Sequence, residues 1–198
     1  IHWNEIRKQL GQQKIFLFCD FDGTLTPIRP RPGLVILGAA RRKFLEGLTH
    51  LPDVTLAFIS GRAMDDLKQK VPVRAAVYAG NHGLEASGPG FKFLAPLPAG
   101  WHKTLSEVKH SMLPLEKDFP GILIEDKRLT LSVHYRKVAQ KKQAACHRAI
   151  MTHTDAPLKA RKIALRCGKK VIEIRPPVNW HKGTIVQWLL RHEDPQAK

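Results

Sequence analysis

Asp20-Phe21-Asp22-Gly23-Thr24 sets two carboxylates one residue apart, directly after the short apolar run Ile15 to Cys19. An apolar run of that length reads as a strand buried on both faces. In open α/β sheets ligands bind beyond the carboxyl ends of strands, where both acids can face one site as the chain turns into a loop. Gly23 permits the sharp turn and the close approach of a ligand. A carboxylate needs no deprotonation at neutral pH. Given a phosphoryl group held by a cation, it can attack phosphorus and form an aspartyl-phosphate. A second carboxylate carrying a proton can donate it to the departing oxygen and later activate water. A calcium loop fails as the alternative, because glycine follows the second acid directly and a strand precedes the motif where a helix belongs.

Two further motifs suit the same chemistry. Ser60-Gly61-Arg62 closes a second apolar run, Val54 to Ile59. A hydroxyl, a backbone N–H and a residue without a side chain make a cradle for phosphate oxygens at Ser60 and Gly61. Arg62 reads equally as a phosphate-binding group and as a helix-surface arginine. Lys182, in Trp180-His181-Lys182-Gly183, lies just before a final helix, where its charge could neutralise both phosphoryl group and nucleophile. A lone lysine usually reads as a surface residue, so the order of the three motifs carries the catalytic assignment.

These residues need a frame. After Ile15 to Cys19 comes a proline-rich loop (Pro27, Pro30, Pro32), then Phe44, Leu45, Leu48 and Leu51 at helical spacing. Val54 to Ile59, a short helix over Ala63 to Lys70 and a strand over Ala75 to Ala79 follow. This β-α-β-α-β order predicts a parallel sheet with helices on both faces. From about Phe93 the character changes. Trp101 to Lys117 reads as a helix, Gly121 to Ile124 with Leu129 to His134 as a hairpin, and Lys141 to Thr152 as a basic helix. Ile163 to Arg166 with Val171 to Ile174 reads as a second hairpin around Gly168-Lys169. The last helix carries Ile185, Val186, Leu189 and Leu190 on its apolar face. The expected division is an α/β core over 1–92 and 178–198, with an inserted α+β domain over 93–177.

Bulk properties narrow the class. The 198 residues are 43% hydrophobic, enough for a real core in one large or two small domains. No apolar run approaches the roughly 20 residues of a membrane span, and no basic-then-apolar leader opens the chain. The first residue is Ile, which leaves the native N-terminus open. Cys19, Cys146 and Cys167 are odd in number and lack metal-ligand spacing, so they read as reduced thiols of a cytoplasmic protein. Cys19 reads as an apolar strand residue rather than a reactive thiol. The net charge of +16 (33 Lys+Arg against 17 Asp+Glu) is spread along the chain, densest between Lys137 and Lys170. Without a zinc finger, an RNA-binding signature or an aromatic stripe, nucleic acid is not the expected partner. A basic face with some members serving a phosphorylated small molecule is.

Asp-Phe-Asp-Gly-Thr-Leu-Thr-Pro at a strand end, then Ser-Gly, then Lys-Gly, resembles the first three motifs of the haloacid-dehalogenase phosphatase superfamily. The resemblance implies a parallel-sheet core of that type with an inserted α+β cap domain. It makes Asp20 the nucleophile and a metal ligand, and Asp22 the acid/base that offers its backbone carbonyl to Mg²⁺. It gives Ser60 the transferring phosphoryl group and Lys182 the third motif. Gly80-Asn81-His82-Gly83-Leu84-Glu85, Glu125-Asp126-Lys127, Leu131-Ser132-Val133-His134-Tyr135-Arg136, the run Lys169 to Pro176 and Asn179 to Gly183 narrow it. Their succession is similar to the trehalose-6-phosphate phosphatases, from about Lys14 to Leu190. A disaccharide phosphate offers many hydroxyls and one dianion. Lys127, Arg136 and Lys169 can donate to them and Glu173 can accept, and the family pattern makes these four the sugar-binding positions. A solvent-exposed glutamate competes for Glu173. His82 reads as ordering its glycine-flanked turn, and the Asn81-His82 loop as lining the sugar pocket. His134 reads as a satisfied, partly buried histidine and receives no role.

The activity implied is Mg²⁺-dependent hydrolysis of trehalose 6-phosphate to trehalose and phosphate. The alternatives are a related enzyme acting on sucrose 6-phosphate or mannosyl-phosphoglycerate, and a noncatalytic sugar-phosphate-binding regulatory module. Fusion to, or association with, a trehalose-phosphate synthase is compatible with the resemblance. The superfamily's fourth motif, a strand ending in a Gly-Asp-Asp type acidic cluster, has no counterpart before Lys198. Glu193 and Asp194 follow no strand and do not replace it. The expectation is a parent enzyme that continues beyond Lys198, where the remaining metal ligands lie.

Overall fold

A computed structural model of the chain describes residues 13–27 and 32–193, together with Glu5 and Lys8. Pro30 and the tail from Asp194 lie outside the described residues, as does the side chain of Glu193. The chain divides into two compact units, Ile1–Ala95 with Trp180–Lys198 (unit 1) and Pro96–Asn179 (unit 2). Among the described residues no helix is long and apolar enough to cross a membrane.

Unit 1 is built on a five-stranded sheet in the order β1-β2-β3-β4-β5. Strands β1 (Ile15–Asp20), β2 (Val54–Ile59) and β3 (Val77–Gly80) run parallel, with Asp20 opposite Ile59 and Ile59 opposite Ala79. This register brings the three carboxyl ends to one edge. Alternation along β2 divides the core: Leu56 and Phe58 pack with helices α1 (Ala39–Leu48) and α2 (Met64–Lys70) through Leu45, Met64 and Leu67. Ala57 and Ile59 face α6 (Lys182–Glu193) through Ile185 and Leu189. Helices therefore cover both faces, as a parallel sheet requires. The expected face of α1 is only partly used: Leu45 is buried, but Phe44 is 67% exposed and Leu51 lies beyond the helix.

The sheet is mixed rather than purely parallel. β4 (Glu85–Gly88) and β5 (Phe91–Leu94) continue it antiparallel, turning through Pro89-Gly90 with Gly90 at φ +80°. The chain therefore stays with unit 1 until Ala95, later than its change of character at Phe93 suggests. β5 also builds the seat of α6: the Phe93 ring lies 5.2 Å from Trp180 and 4.3 Å from Trp188, and Phe91 lies 5.8 Å from Trp188. Aromatic pairs of this kind add roughly 0.5–1.5 kcal/mol each beyond their buried area.

Unit 2 is an α+β layer pair. Its antiparallel sheet runs β6 (Leu123–Asp126), β7 (Leu131–His134), β9 (Val171–Arg175), β8 (Ala164–Gly168). Leu131, Val133, Ile172 and Ile174 point to helices α3 (Trp101–Met112), α4 (Pro114–Asp118) and α5 (Gln140–Lys159), where they meet Leu105, Val108, Met112, Leu115, Cys146 and Ile150. The single helix expected over Trp101 to Lys117 is broken at Leu113-Pro114, because proline supplies no N–H to the preceding turn. α5 runs past Thr152 to Lys159 and contains Pro157, which removes one i to i−4 hydrogen bond close to where the helix ends. The other sheet face carries alternate residues, among them Ser132 and Glu173.

Candidate active site

The carboxyl ends of β1, β2 and β3 each lead into a loop that carries one group of candidate residues. At the end of β1 the chain turns at once: Gly23, at φ +89°, donates its N–H to Thr26 O (2.8 Å), and Thr26 Oγ1 donates to Phe21 O. Phe21 is fully buried, which anchors the turn and leaves Asp20 and Asp22 about two-fifths exposed on either side.

Each acid meets a cation from far along the chain. Lys182 Nζ donates to Asp20 Oδ1 at 2.6 Å across 162 positions of sequence. Lys182 is held there by the start of α6, where His181 Nδ1 accepts from the N–H groups of Gly183 and Thr184 (3.1 and 3.3 Å). Such a cap satisfies donors that a helix start otherwise leaves open. Trp180 Nε1 donates to Gly83 O, and a side chain at Gly83, φ +94°, would strike Ile185 Cγ2 at 2.5 Å. The Gly83 turn and α6 thus fit only without a Cβ between them.

Arg62 is neither a surface arginine nor an open phosphate ligand. Its side chain is 8% exposed and forks onto Asp22, Nε to Oδ2 at 2.8 Å and Nη2 to Oδ1 at 2.7 Å. Nη1 donates to Asp66 Oδ2 at 2.6 Å, and the guanidinium lies 5.3 Å from the centre of the Phe21 ring. Burial works against its charge, but the bonds to Asp22 and Asp66 outweigh that and raise its pKa above the ordinary arginine value. Asp66 went unassigned in the sequence; its place four residues after Arg62 on a helix was the available signal.

Ser60 is 1% exposed, and its Oγ accepts from the Arg62 N–H (3.2 Å). Its loop is zipped to the Asn81-His82 turn. His82 N donates to Ser60 O (2.9 Å) and Asn81 N to Arg62 O (2.7 Å). To aim those N–H groups, Asn81, His82 and Gly83 take φ of +47°, +58° and +94°. Left-handed backbone at two non-glycine residues costs on the order of 1–2 kcal/mol each, and strain of this kind gathers at functional sites. Asn81 is fully buried with Nδ2 on Glu85 Oε1 (2.7 Å), and the same oxygen accepts from Met64 N (3.1 Å). Asn81 thus shapes the turn, with Glu85 as its organiser, a residue inside the quoted motif that received no role. A Cβ at Gly61 would sit 2.5 Å from the His82 ring, so this glycine leaves room for that ring.

The four sugar-binding candidates of unit 2 form two pairs rather than one cluster. Lys127 Nζ lies 4.0 Å from Glu173 Oε1, both side chains being about nine-tenths buried. At the other end of β7 and β9, Arg136 Nη2 donates to Lys169 O (3.1 Å), and both residues are exposed. Glu173 is no surface glutamate: Arg175 Nε stands 3.8 Å from its Oε2. Burial pulls the Arg175 guanidinium below its ordinary pKa, while Glu173 opposes that shift and Arg166 adds to it.

Oxygen donors for a hard divalent cation exist at Asp20 and Asp22, while no group of three or more His, Cys, Asp or Glu comes together among the described residues. That set fits Mg²⁺, which commonly takes one or two carboxylates and fills its octahedron with water and substrate oxygens.

Comparison with known proteins decides the family. The trehalose-phosphatase family model matches residues 18–197. The chain belongs to the trehalose-phosphatase family. A probable trehalose-phosphate phosphatase 4 of Oryza sativa is 32% identical over 192 residues, covering 95% of this chain and 51% of that protein. A trehalose-phosphate phosphatase of Mycobacterium tuberculosis is 31% identical over 177 residues, covering 89% of this chain and 44% of that protein. The solved C-terminal domain of C. albicans trehalose-6-phosphate phosphatase superposes with a TM-score of 0.74 at 27% identity, over 94% of this chain and 64% of that one. The chain spans about half the length of the curated relatives it matches. The family's phosphatase core with a cap domain is thus the architecture of this chain, as its motifs imply.

Proposed function

We propose that the full-length protein hydrolyses trehalose 6-phosphate to trehalose and phosphate through an aspartyl-phosphate on Asp20. The observation that carries this reading is the Lys182–Asp20 contact of 2.6 Å at the end of β1, beside Ser60, in a chain of the trehalose-phosphatase family. One Asp20 oxygen attacks phosphorus, the bond from phosphorus to the sugar oxygen breaks, and that oxygen takes a proton from Asp22. Water then attacks the aspartyl-phosphate and yields its proton to Asp22, which returns Asp20 to a carboxylate and releases inorganic phosphate. Lys182 offsets the negative charge gathered where carboxylate meets phosphoryl group, and Ser60 with the Gly61 N–H cradles phosphate oxygens. Mg²⁺ held by the Asp20 carboxylate and the Asp22 carbonyl would supply further neutralisation of the phosphoryl charge.

Asp22 must carry a proton to donate one, and both its carboxyl oxygens accept from the Arg62 fork. Donation therefore follows release of the fork, while Asp66, 2.6 Å from the same guanidinium, keeps Arg62 partnered. Unit 2 acts as the cap, with Lys127, Glu173, Arg136 and Lys169 contacting the sugar, and Asn81 and His82 shaping the pocket rim. Three free cysteines, with burial raising the thiol pKa of Cys19 and Cys146, suit a reducing cytoplasm.

The test is phosphate release from trehalose 6-phosphate by full-length protein with and without Mg²⁺, against sucrose 6-phosphate and mannosyl-phosphoglycerate. Preference for the trehalose ester in kcat/KM supports the reading. Tight binding of the ester without turnover would instead identify a regulatory module.

A further inference from the structure

On the helix side of the unit 2 sheet, a cavity of about 620 Å³ lies between Tyr135 at the end of β7, the first turns of α5, and Lys170 at the entry to β9. Spaces of this order hold small-molecule ligands. Gln140, Gln143, His147, Arg148 and Lys170 line it beside Tyr135, and none of the lining residues is acidic. α5 carries no acid before Asp155, and its first turn has neither an acid nor a side-chain cap. The positive end of the helix dipole therefore adds to the charge of the cavity.

Tyr135 sets this cavity apart from an ordinary basic surface. The residue is 8% exposed and packs in the core with Val133 and Ile150. The His147 ring meets its ring edge-on at 5.9 Å, and Lys170 Nζ lies 5.8 Å from the ring centre. Among the described residues nothing hydrogen-bonds to the Tyr135 hydroxyl, yet that oxygen is not sealed from solvent. A tyrosine buried to this degree usually finds a partner for its hydroxyl. Burial, then Cys167 and Cys146, raise its pKa, so the hydroxyl keeps its proton as a donor at neutral pH. Arg148 and Lys170 have no carboxylate partner among the described residues. A phenol, a guanidinium and an ammonium around one space suit a phosphate dianion.

We propose that this cavity is a second anion site, which takes the phosphate group of a small phosphorylated molecule on the Tyr135 hydroxyl, Arg148 and Lys170. The site is made wholly of unit 2 and shares no residue with the phosphoryl or sugar positions assigned above. It therefore stands whether or not the protein acts on trehalose 6-phosphate. Its tie to those positions runs through the backbone. Tyr135 N–H donates to Lys170 O (3.1 Å), and the adjoining Arg136 and Lys169 meet through the Nη2 contact of 3.1 Å. A ligand that holds Tyr135 and Lys170 steadies that neighbouring pair.

Titrating the full-length protein with inorganic phosphate while following backbone amide signals separates this site, residue by residue, from the Asp20 edge. The expected result is a saturable shift of the Tyr135, His147 and Lys170 signals. Tyr135→Phe keeps the ring and should raise the Kd read at His147 and Lys170 about fivefold, and Arg148→Glu should raise it about tenfold or more. Lys141→Glu makes the same charge change on α5 outside the cavity and should leave the Kd within about twofold. If Tyr135→Phe fails to fold, the Arg148→Glu and Lys141→Glu pair decides, since both residues are exposed. Shifts confined to the loops around Asp20 and Ser60, or shifts that never saturate, overturn the proposal. So does equal weakening by Lys141→Glu and Arg148→Glu, which would reduce the site to diffuse attraction by a chain of net charge +16.

Discussion

At the carboxyl edge of unit 1, Asp20 meets Lys182 at 2.6 Å and Asp22 meets Arg62 through bonds of 2.7 and 2.8 Å, whereas on the sheet face of unit 2 Lys127 stands 3.9 and 4.0 Å from two carboxylates. The first region pairs each acid with one cation, and each cation is fixed by a loop or helix cap. The second shares one ammonium between acids on β6 and β9, with β7 between them, at distances longer than a hydrogen bond. Short, direct pairing suits a reacting centre, where a displacement of an ångström is costly. Shared, looser charge suits recognition of a polyhydroxylated ligand, whose hydroxyls can donate to carboxylates and accept from an ammonium. Substitutions in unit 1 should therefore act on kcat and on folding, and those in unit 2 on KM.

The largest effect is expected at the paired acid. Asp20→Asn in the full-length protein should lower kcat by about 10³-fold or more, and Lys182→Ala by about 10²–10³-fold, measured as phosphate release under saturating trehalose 6-phosphate. A loss confined to KM in either variant would erase the distinction between the two regions.

How much of this contrast the sequence displays depends on separation along the chain. β1 and β2 are legible because each is a continuous apolar run ending at a polar motif, and α6 because Ile185 and Leu189 repeat at helical spacing. The β4–β5 hairpin is not, since Glu-Ala-Ser-Gly and Phe-Lys-Phe-Leu are each four residues long and carry no apolar run; the Pro89-Gly90 turn signal between them was the visible clue. Motif order alone makes Asp20, Asp22, Ser60 and Lys182 candidates. The partnership of Arg62 with Asp22, 40 residues away, is a product of the β1–β2 register, which no local pattern reports. Likewise Glu85 looks like an ordinary strand residue until Asn81 and Met64 N–H are seen to converge on its Oε1.

Arg62 separates fold from chemistry within unit 1. Arg62→Ala leaves Asp22 and Asp66 facing each other's charge and should cost about 1–3 kcal/mol in denaturant unfolding. Arg62→Lys, with charge but no fork, should fall between it and wild type. A stability unchanged in Arg62→Ala would show that the fork holds nothing in place. In unit 2, Glu173→Gln keeps the shape but removes the acceptor's charge. A KM rise of roughly tenfold with kcat retained is expected, and a matching loss of kcat would sink the recognition role.

The smallest effect belongs to a pair outside both regions. Burial pushes the Asp126 pKa up, but hydrogen bonds from Lys109 Nζ and the Arg128 N–H outweigh it and hold the carboxyl below its usual value. A depressed folded pKa contributes stability above the unfolded value and loses it as pH falls through the folded one. Both partners are more than a third exposed, so Asp126→Asn should cost no more than about 0.5 kcal/mol near neutral pH, and nothing below the ordinary carboxylate range. Thermal unfolding of the two proteins at neutral and acid pH reads this directly, and a gap that persists in acid would contradict the ion pair.

The central claim is that Asp20 takes the phosphoryl group. Acid quenching of full-length protein during turnover of trehalose 6-phosphate, followed by peptide mass analysis, tests it most directly. The account predicts a phosphoryl mass on the peptide that contains Asp20, absent in Asp20→Asn while sugar-phosphate binding persists. A phosphoryl mass on any other residue, or undiminished phosphate release by Asp20→Asn, would contradict it.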